Sequence, residues 1–201
     1  KSITTGEGGM LTTNNAEVAD TAAKMRNHGA EVSEEQRHNG PQPYLLPDFN
    51  LLGFNYRMTD LQGAIGVVQL RKLDSFIAER QRAADLYQEQ IGHLDVLQMP
   101  ARPTNGVHAW QAFVLRVRGS KGPETRNRIM SSLESLGIST RPGTHAIHSL
   151  GYYRNILKVT DESLPGAALC RDATVAIPLH NRMTRSDFER VSDAVKLALL
   201  Q

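Results

Sequence analysis

The sequence predicts an α/β fold, and three observations carry that prediction. Of its 201 residues, 40% are apolar and 22% charged, the balance of an ordinary globular chain. Over the C-terminal part, short β-prone runs alternate with helical periods, the pattern of strands and helices stacked in layers. Gly and Pro fall at the edges of those runs, where they end one element and open the next. The length allows one large domain or two small ones.

The first element is a bend. Residues 1–13 read KSITTGEGGMLTT, with Gly6, Gly8 and Gly9 between two short extended runs. Glycines at that density permit positive φ or a close approach of the backbone to a ligand. A strand reversal under a binding site and an ordinary hairpin turn both fit. Asn14 or Asn15 then caps a helix through Ala16, Val18, Ala19, Ala22, Ala23 and Met25, stopped by Gly29. Ala30 to Asn50 is polar, carries Gly40, Pro41, Pro43 and Pro47, and shows no period. A structureless stretch of that length is expected to cover a site or a partner subunit.

Thr59 and Gln62 have the spacing of a capping box that opens a helix at Asp60, with Leu61, Ala64, Ile65, Val68 and Leu70 at helical spacing. Asn55 and Arg57 stand just ahead of that start, where donors and a helix N-terminus favour anions; a turn residue and a solvated charge are the plainer reading. A long helix follows from Leu73 to Leu94, and Val96–Met99 forms a short strand. Trp110–Val117 is β-rich. Pro123 sits in the first turn of a helix carrying Ile129, Met130, Leu133 and Leu136, ended by Gly137. Ile138–Arg141 is the next strand, Ala167–Arg171 a short helix, and Thr174–Ile177 the last strand, closed by Pro178. Ser186 and Glu189 have capping-box spacing for a terminal helix with Phe188, Val191, Val195 and Ala198 on one face.

Several function classes recede on composition. The net charge is +2 and no block of five like charges occurs, so neither nucleic acid nor an anionic membrane is the expected partner. The single cysteine, Cys170, forms no internal disulfide and fits a reducing, cytoplasmic setting. No run of eighteen apolar residues and no signal-peptide pattern is present. His145 and His148 stand three apart, but no further ligand follows at a metal-binding spacing, so no metal is expected. The chain lacks an initiator methionine and opens on a chemically interesting lysine, so a fragment of a longer protein is expected.

Two stretches resemble signatures of one family. KSITTGEGGMLTT is similar to the segment that begins at the cofactor lysine of the DegT/StrS-type nucleotide-sugar aminotransferases, fold-type I enzymes that use pyridoxal 5'-phosphate (PLP). GFNYRMTDLQGAIG, residues 53–66, resembles the second signature of the same family. The resemblance implies that Lys1 is catalytic and carries the cofactor covalently through its amine. It implies that Asn55 reaches the cofactor phosphate across a homodimer with shared active sites, and that Arg57 lies near the same interface and meets substrate. The related sugar 3-dehydratases carry histidine at the place of Lys1, so lysine favours transamination over dehydration.

The family also has a loop with two histidines, an aromatic pair and an arginine. Aligned on Tyr152-Tyr153-Arg154, its second histidine falls on His148 and its first on Gly143, with His145 two residues away. His148 and, less directly, His145 are thereby implied as substrate-binding. His108 and Trp110 resemble the family's strand start, where a buried Trp is expected. The helix from Leu73 resembles the family's linking helix, which implies that residues 1–73 end the PLP-binding large domain and 74–201 form the small C-terminal α/β domain. The implied reaction moves an amino group, by family habit from glutamate, to a keto sugar linked to a nucleotide. The aspartate at the pyridine nitrogen and the aromatic over the ring would belong to an N-terminal half. A non-catalytic dimerisation or ligand-binding fragment is the alternative of another class.

Overall fold

In the computed structural model, which describes residues 1–40, 44, 46–119 and 121–200, the chain divides into two units. One is Ile3–Arg71; the other is Lys72–Gln201 with Lys1–Ser2.

In the first unit, helix α1 (Ala16–Met25) starts where Asn15 Oδ1 accepts from the amides of Glu17 and Val18, at 2.9 and 3.2 Å. After α1 the chain passes through His28 and Gly29 at φ 61° and 83°. Residues 53–56 then return alongside: His28 N–H donates to the Phe54 carbonyl, Phe54 N–H to Met25 and Tyr56 N–H to Arg26, at 2.7–2.9 Å. Two glycines make this possible. A Cβ on Gly29 would collide with the Leu51 carbonyl, and one on Gly53 with the Gly29 amide nitrogen.

The polar stretch is not structureless. Ser33 and Gln36 exchange backbone and side-chain hydrogen bonds, 2.8 and 3.1 Å, and open a short helix α2 (Glu34–Asn39). That Ser-x-x-Gln spacing is legible in the sequence. Pro41, Gln42, Pro43 and Leu45 lie outside the described residues. Helix α3 (Asp60–Arg71) begins at the expected box: Thr59 N–H donates to Gln62 Oε1 and Gln62 N–H to Thr59 Oγ1, at 3.0 and 3.3 Å. No residue of α3 is buried, and Leu61 is 80% exposed. The spacing predicts an amphipathic helix; the helix forms, but its apolar side chains find no cover in this chain. The glycine bend is present, with Gly6 and Gly8 at φ 82° and 153°, yet the flanking runs form no hairpin strands.

The second unit has a core of its own. Helix α4 (Leu73–Ile91) ends at Gly92, one turn before the expected Leu94, and buries Ala83, Ala84, Tyr87 and Ile91. Strand β1 (Leu97–Gln98) leads to β2 (Phe113–Val117), whose alternating Phe113, Leu115 and Val117 point into the core. The strand starts later than Trp110, because Trp110 turns at φ 46°. Helix α5 (Gly122–Ser135) has Pro123 in its first turn, and Gly137 follows it at φ 72°. Strand β3 (Arg141–Pro142) shares only Arg141 with the expected run Ile138–Arg141. A 3₁₀ turn (Ile147–Ser149) and helix α6 (Gly151–Leu157) follow. Helix α7 (Pro165–Ala173), longer than expected at both ends, feeds β4 (Thr174–Ile177), and α8 (Arg185–Leu200) closes the chain.

The sheet is antiparallel in the order β1-β2-β4-β3, with Phe113 opposite Ile177 and Leu115 opposite Val175. The buried faces of α4, α5 and α8 join it through Tyr87, Ile129, Leu133, Phe188, Val191 and Val195. Tyr87 donates its hydroxyl proton to the Pro178 carbonyl, and burial pushes that hydroxyl's pKa up. These layers agree with the α/β class expected from the sequence.

The terminal helix is capped one pair earlier than its spacing suggests. Thr184 and Asp187 make the box, through Thr184 N–H to Asp187 Oδ2 at 2.7 Å and Asp187 N–H to Thr184 Oγ1 at 3.3 Å. Glu189 is drawn off by Arg185 at 3.0 Å, one turn away. The backbone and hydroxyl donors of Thr184 hold the Asp187 carboxyl below its ordinary range. Its share of stability is therefore present above the ordinary carboxylate range and is lost as pH falls through the lowered value.

Two substitutions test these local arguments by urea unfolding. Thr184→Ala should cost about 1 kcal/mol, and Ser186→Ala less than half of that; equal costs would return the cap to Ser186. Gly53→Ala should cost roughly 3 kcal/mol, because backbone rather than a movable side chain fills the space, and should expose residues 51–57 to limited proteolysis. Wild-type proteolysis would refute the close approach.

Candidate functional site

The glycine bend at Thr4–Gly8 and the second stretch singled out in the sequence meet in the first unit. Gln62, one turn into α3, donates its amide to the Glu7 carbonyl at 2.9 Å, and Gln69 accepts from the Thr4 amide at 3.2 Å. A Cβ on Gly66 would stand 3.1 Å from the Thr5 methyl, and one on Gly8 would stand 2.6 Å from Thr5 Oγ1 and 3.2 Å from the Met58 methyl. The bend therefore lies on α3 over small residues and is pinned by two glutamine side chains. Thr5 Oγ1 donates to the Glu7 carbonyl at 2.8 Å and tightens it. Glu7 itself is exposed.

Asn55 and Arg57 occupy the return strand just before the capped start of α3. Asn55 pairs through its backbone with Asn27, and Arg57 Nη1 donates to Asn27 Oδ1 at 2.6 Å. Asn27 was not singled out from the sequence. Its signal is the Arg-Asn-His-Gly string behind α1, where residues that tolerate left-handed backbone cluster. Both Asn55 and Arg57 are exposed, so the amide and one face of the guanidinium remain open to a ligand. Helix N-terminal amides beside these donors make an electropositive end suited to a phosphate. Lys1 is also exposed. Taken each by its own chemistry, the Lys1 amine suits an aldehyde, and the amide and guanidinium of the first unit suit a phosphate, the two polar ends of the PLP molecule.

In the second unit the structure separates the two histidines. His145 is exposed on its loop, whereas His148 is 4% exposed. The His148 Nε2 lies 2.8 Å from Asp161 Oδ1. Arg171 grips the same carboxylate with both terminal nitrogens, 3.0 and 2.9 Å, and binds Asp172 through Nε and Nη2 at 2.7 Å each. The Arg171 guanidinium, and after it His148, hold the Asp161 carboxyl down to about 2. Asp161 and Arg171 were missed because partners ten and thirteen residues apart across a loop leave no periodic trace. Position 143, where the resemblance placed the first histidine of the loop, has no room for one. A Cβ there would strike the side chains of Thr174 and Val114, and Gly143 N–H donates to the Thr174 carbonyl at 3.1 Å.

Trp110 is buried, as expected, with its indole N–H on Gln81 Oε1 at 2.8 Å and its amide on His108 Nδ1 at 2.9 Å. Arg80, also buried, donates to the Trp110 carbonyl at 2.6 Å and to Asn181 at 2.9 Å. Arg182 is exposed, and its amide donates to His180 Nδ1 at 3.2 Å. Among the described residues, no group of three His, Cys, Asp or Glu could hold a metal ion, and no helix is long and apolar enough to cross a membrane.

The model of the DegT/DnrJ/EryC1/StrS aminotransferase family matches residues 1–196. The chain is 35% identical to a GDP-perosamine synthase of Caulobacter vibrioides over all 201 residues, and spans 50% of that protein. It superposes on an aminotransferase from Streptoalloteichus hindustanus with a TM-score of 0.81 at 25% identity, covering 100% of this chain and 50% of the other. An aminotransferase from Psychrobacter cryohalolentis shares the fold, with a TM-score of 0.85 at 22% identity over 100% of this chain and 53% of its own. The chain thus spans about half the length of the relatives it matches. It belongs to the DegT/DnrJ/EryC1/StrS aminotransferase family.

Proposed function

We propose that this chain supplies the C-terminal half of a PLP-dependent aminotransferase that moves an amino group from glutamate to a keto sugar carried on a nucleotide. One observation carries the reading: the bend that follows Lys1 is fastened to the first turn of α3, immediately behind Asn55 and Arg57. Family membership and the likeness to a GDP-perosamine synthase support it.

Lys1 would hold the cofactor aldehyde through Nζ and, once displaced by an amino donor, take and return a proton at that nitrogen. Asn55 would donate its side-chain amide to the cofactor phosphate, in a homodimer from the neighbouring subunit, and Arg57 would bind the substrate's anionic part. Bound there, the cofactor supplies the electron sink that lets nitrogen leave one carbon and join another. The glycines exclude side chains from the approach, so the chain can lie close under a flat ligand. His148, and on the loop surface His145, would meet the sugar. The ring's stacking aromatic and carboxylate belong to the other half of such an enzyme, and a cytoplasmic location suits its cofactor and substrates.

The apolar, uncovered α3 favours a second reading, in which the chain is an association module without catalysis. The full-length protein separates the two. It should absorb near the edge of the visible, lose that band to borohydride, and carry the reduced adduct on Lys1. With GDP-perosamine and 2-oxoglutarate as probes of the reverse direction, Lys1→Ala should lower the rate by about 10²–10⁴-fold or more. Undiminished turnover in Lys1→Ala would sink the assignment.

A further inference from the structure

The second unit holds a run of four ionisable side chains that its core does not require: Asp172, Arg171, Asp161 and His148, joined in that order. The first three lie at the surface of α7 and of the turn before it, and the last is buried in the 3₁₀ turn. Exposed ion pairs contribute little to stability, yet here one guanidinium is shared by two carboxylates, each held by two donors. That arrangement fixes the plane of the Asp161 carboxylate and leaves Oδ1 directed at the His148 ring. A carboxylate kept ionised accepts hydrogen bonds only. The proton between Asp161 and His148 therefore sits on Nε2, and in the neutral ring Nδ1 is left with the lone pair.

We propose that Asp161, clamped by Arg171, is a positioning residue that sets the tautomer and angle of His148, so that Nδ1 is the nitrogen free to accept from a hydroxyl or amine of the sugar. The same bond ties the 3₁₀ turn to the turn before α7, which Arg171 ties in its turn to that helix. The proposal rests on the reading of His148 as a sugar-binding residue. It adds which nitrogen is used and which groups choose it. Metal sites use carboxylates behind histidines in this way, and losing such a partner there typically costs about 10–100-fold in affinity or activity.

The test uses the full-length protein. Histidine ¹⁵N spectra of the wild type, recorded where the His148 ring is neutral, should show the Nε2–H tautomer, and Asp161→Asn should return it to a mixture. A wild-type ring protonated at Nδ1 would overturn the proposal. Kinetics with GDP-perosamine and 2-oxoglutarate supply the second readout. Asp161→Asn and His148→Gln should each lower kcat/KM for the amino sugar by about 10–100-fold, with the glutamate half-reaction within twofold of wild type. The double variant should be no slower than His148→Gln alone, because Asp161 acts through that ring. A full additional loss in the double variant would make Asp161 merely structural. A normal Asp161→Asn beside a defective His148→Gln would refute the positioning role and leave sugar binding intact. A normal His148→Gln would remove the underlying reading itself. Should Asp161→Asn melt early, Arg171→Lys keeps the charge without the two-pronged grip and should show a smaller loss in the same direction; a wild-type kcat/KM there would overturn the clamp.

Discussion

The placement of Asn55 and Arg57 in the Ile3–Arg71 unit depends on main chain touching main chain at Gly29 and Gly53. With no Cβ on either residue, the segment after α1 and the segment before α3 close to a distance that side chains would forbid. Three backbone hydrogen bonds then lock the return strand to the end of α1. The consequence is positional. Asn55 and Arg57 owe their location to backbone registry and to the Asn27 side chain, not to burial in a core. Ala30 is the one residue of this unit among the buried apolar side chains of the described chain. A unit so poor in core needs such direct constraints to keep two donors beside a helix start.

The Lys72–Gln201 unit solves the opposite problem. Its sheet and three helices bury Tyr87, Phe113, Leu115, Ile129 and Val195 almost completely, which at about 1.5–3 kcal/mol per large apolar side chain dominates its stability. On that rigid base the loop from Gly143 to Leu150 can be irregular. Gly143 lies flat against Thr174 and Val114, and the next turn is fastened from outside by Asp161. Position 143 thus has a steric reason to be glycine: the place nearest the sheet is full.

Legibility followed the range of the interaction. Asn15, Thr59 with Gln62, and Pro123 act within one turn of themselves, and the helices they start were readable. Ser33 with Gln36 was equally local and was overlooked because the surrounding prolines and glycines suggested a loop. At the last helix two overlapping boxes compete, and the Arg185–Glu189 spacing of one turn, itself local, draws Glu189 from the second. Strand lengths were read too long at Trp110 and misplaced at Ile138, since strand ends depend on neighbours such as the Arg80 and Gln81 contacts with Trp110. For the candidate site, Lys1, Asn55, Arg57 and the histidines were recognisable as motifs. Asn27, Asp161 and Arg171 were not, because each acts on a residue brought near only by folding.

The exposed apolar surface of α3 bears on the candidate site beside it. Its 12 residues include Gly63 and Gly66, it buries nothing in this chain, and Leu61, Ile65, Val68 and Leu70 leave apolar surface on several sides. A helix of that length and composition is marginal in water, since propagation barely offsets nucleation and each glycine costs about 1 kcal/mol relative to alanine. A helix apolar around its circumference is ordinarily one that is covered. Whatever surface covers α3 therefore stabilises the turn in which Gln62 holds the bend and in which the amides behind Asn55 and Arg57 are aligned. By linkage, a ligand that needs those amides ordered favours the covered state by the same free energy that the cover contributes to binding it. Under the proposed aminotransferase reading, with its homodimer, cofactor retention and subunit association would then be coupled through a helix this chain encodes but does not bury.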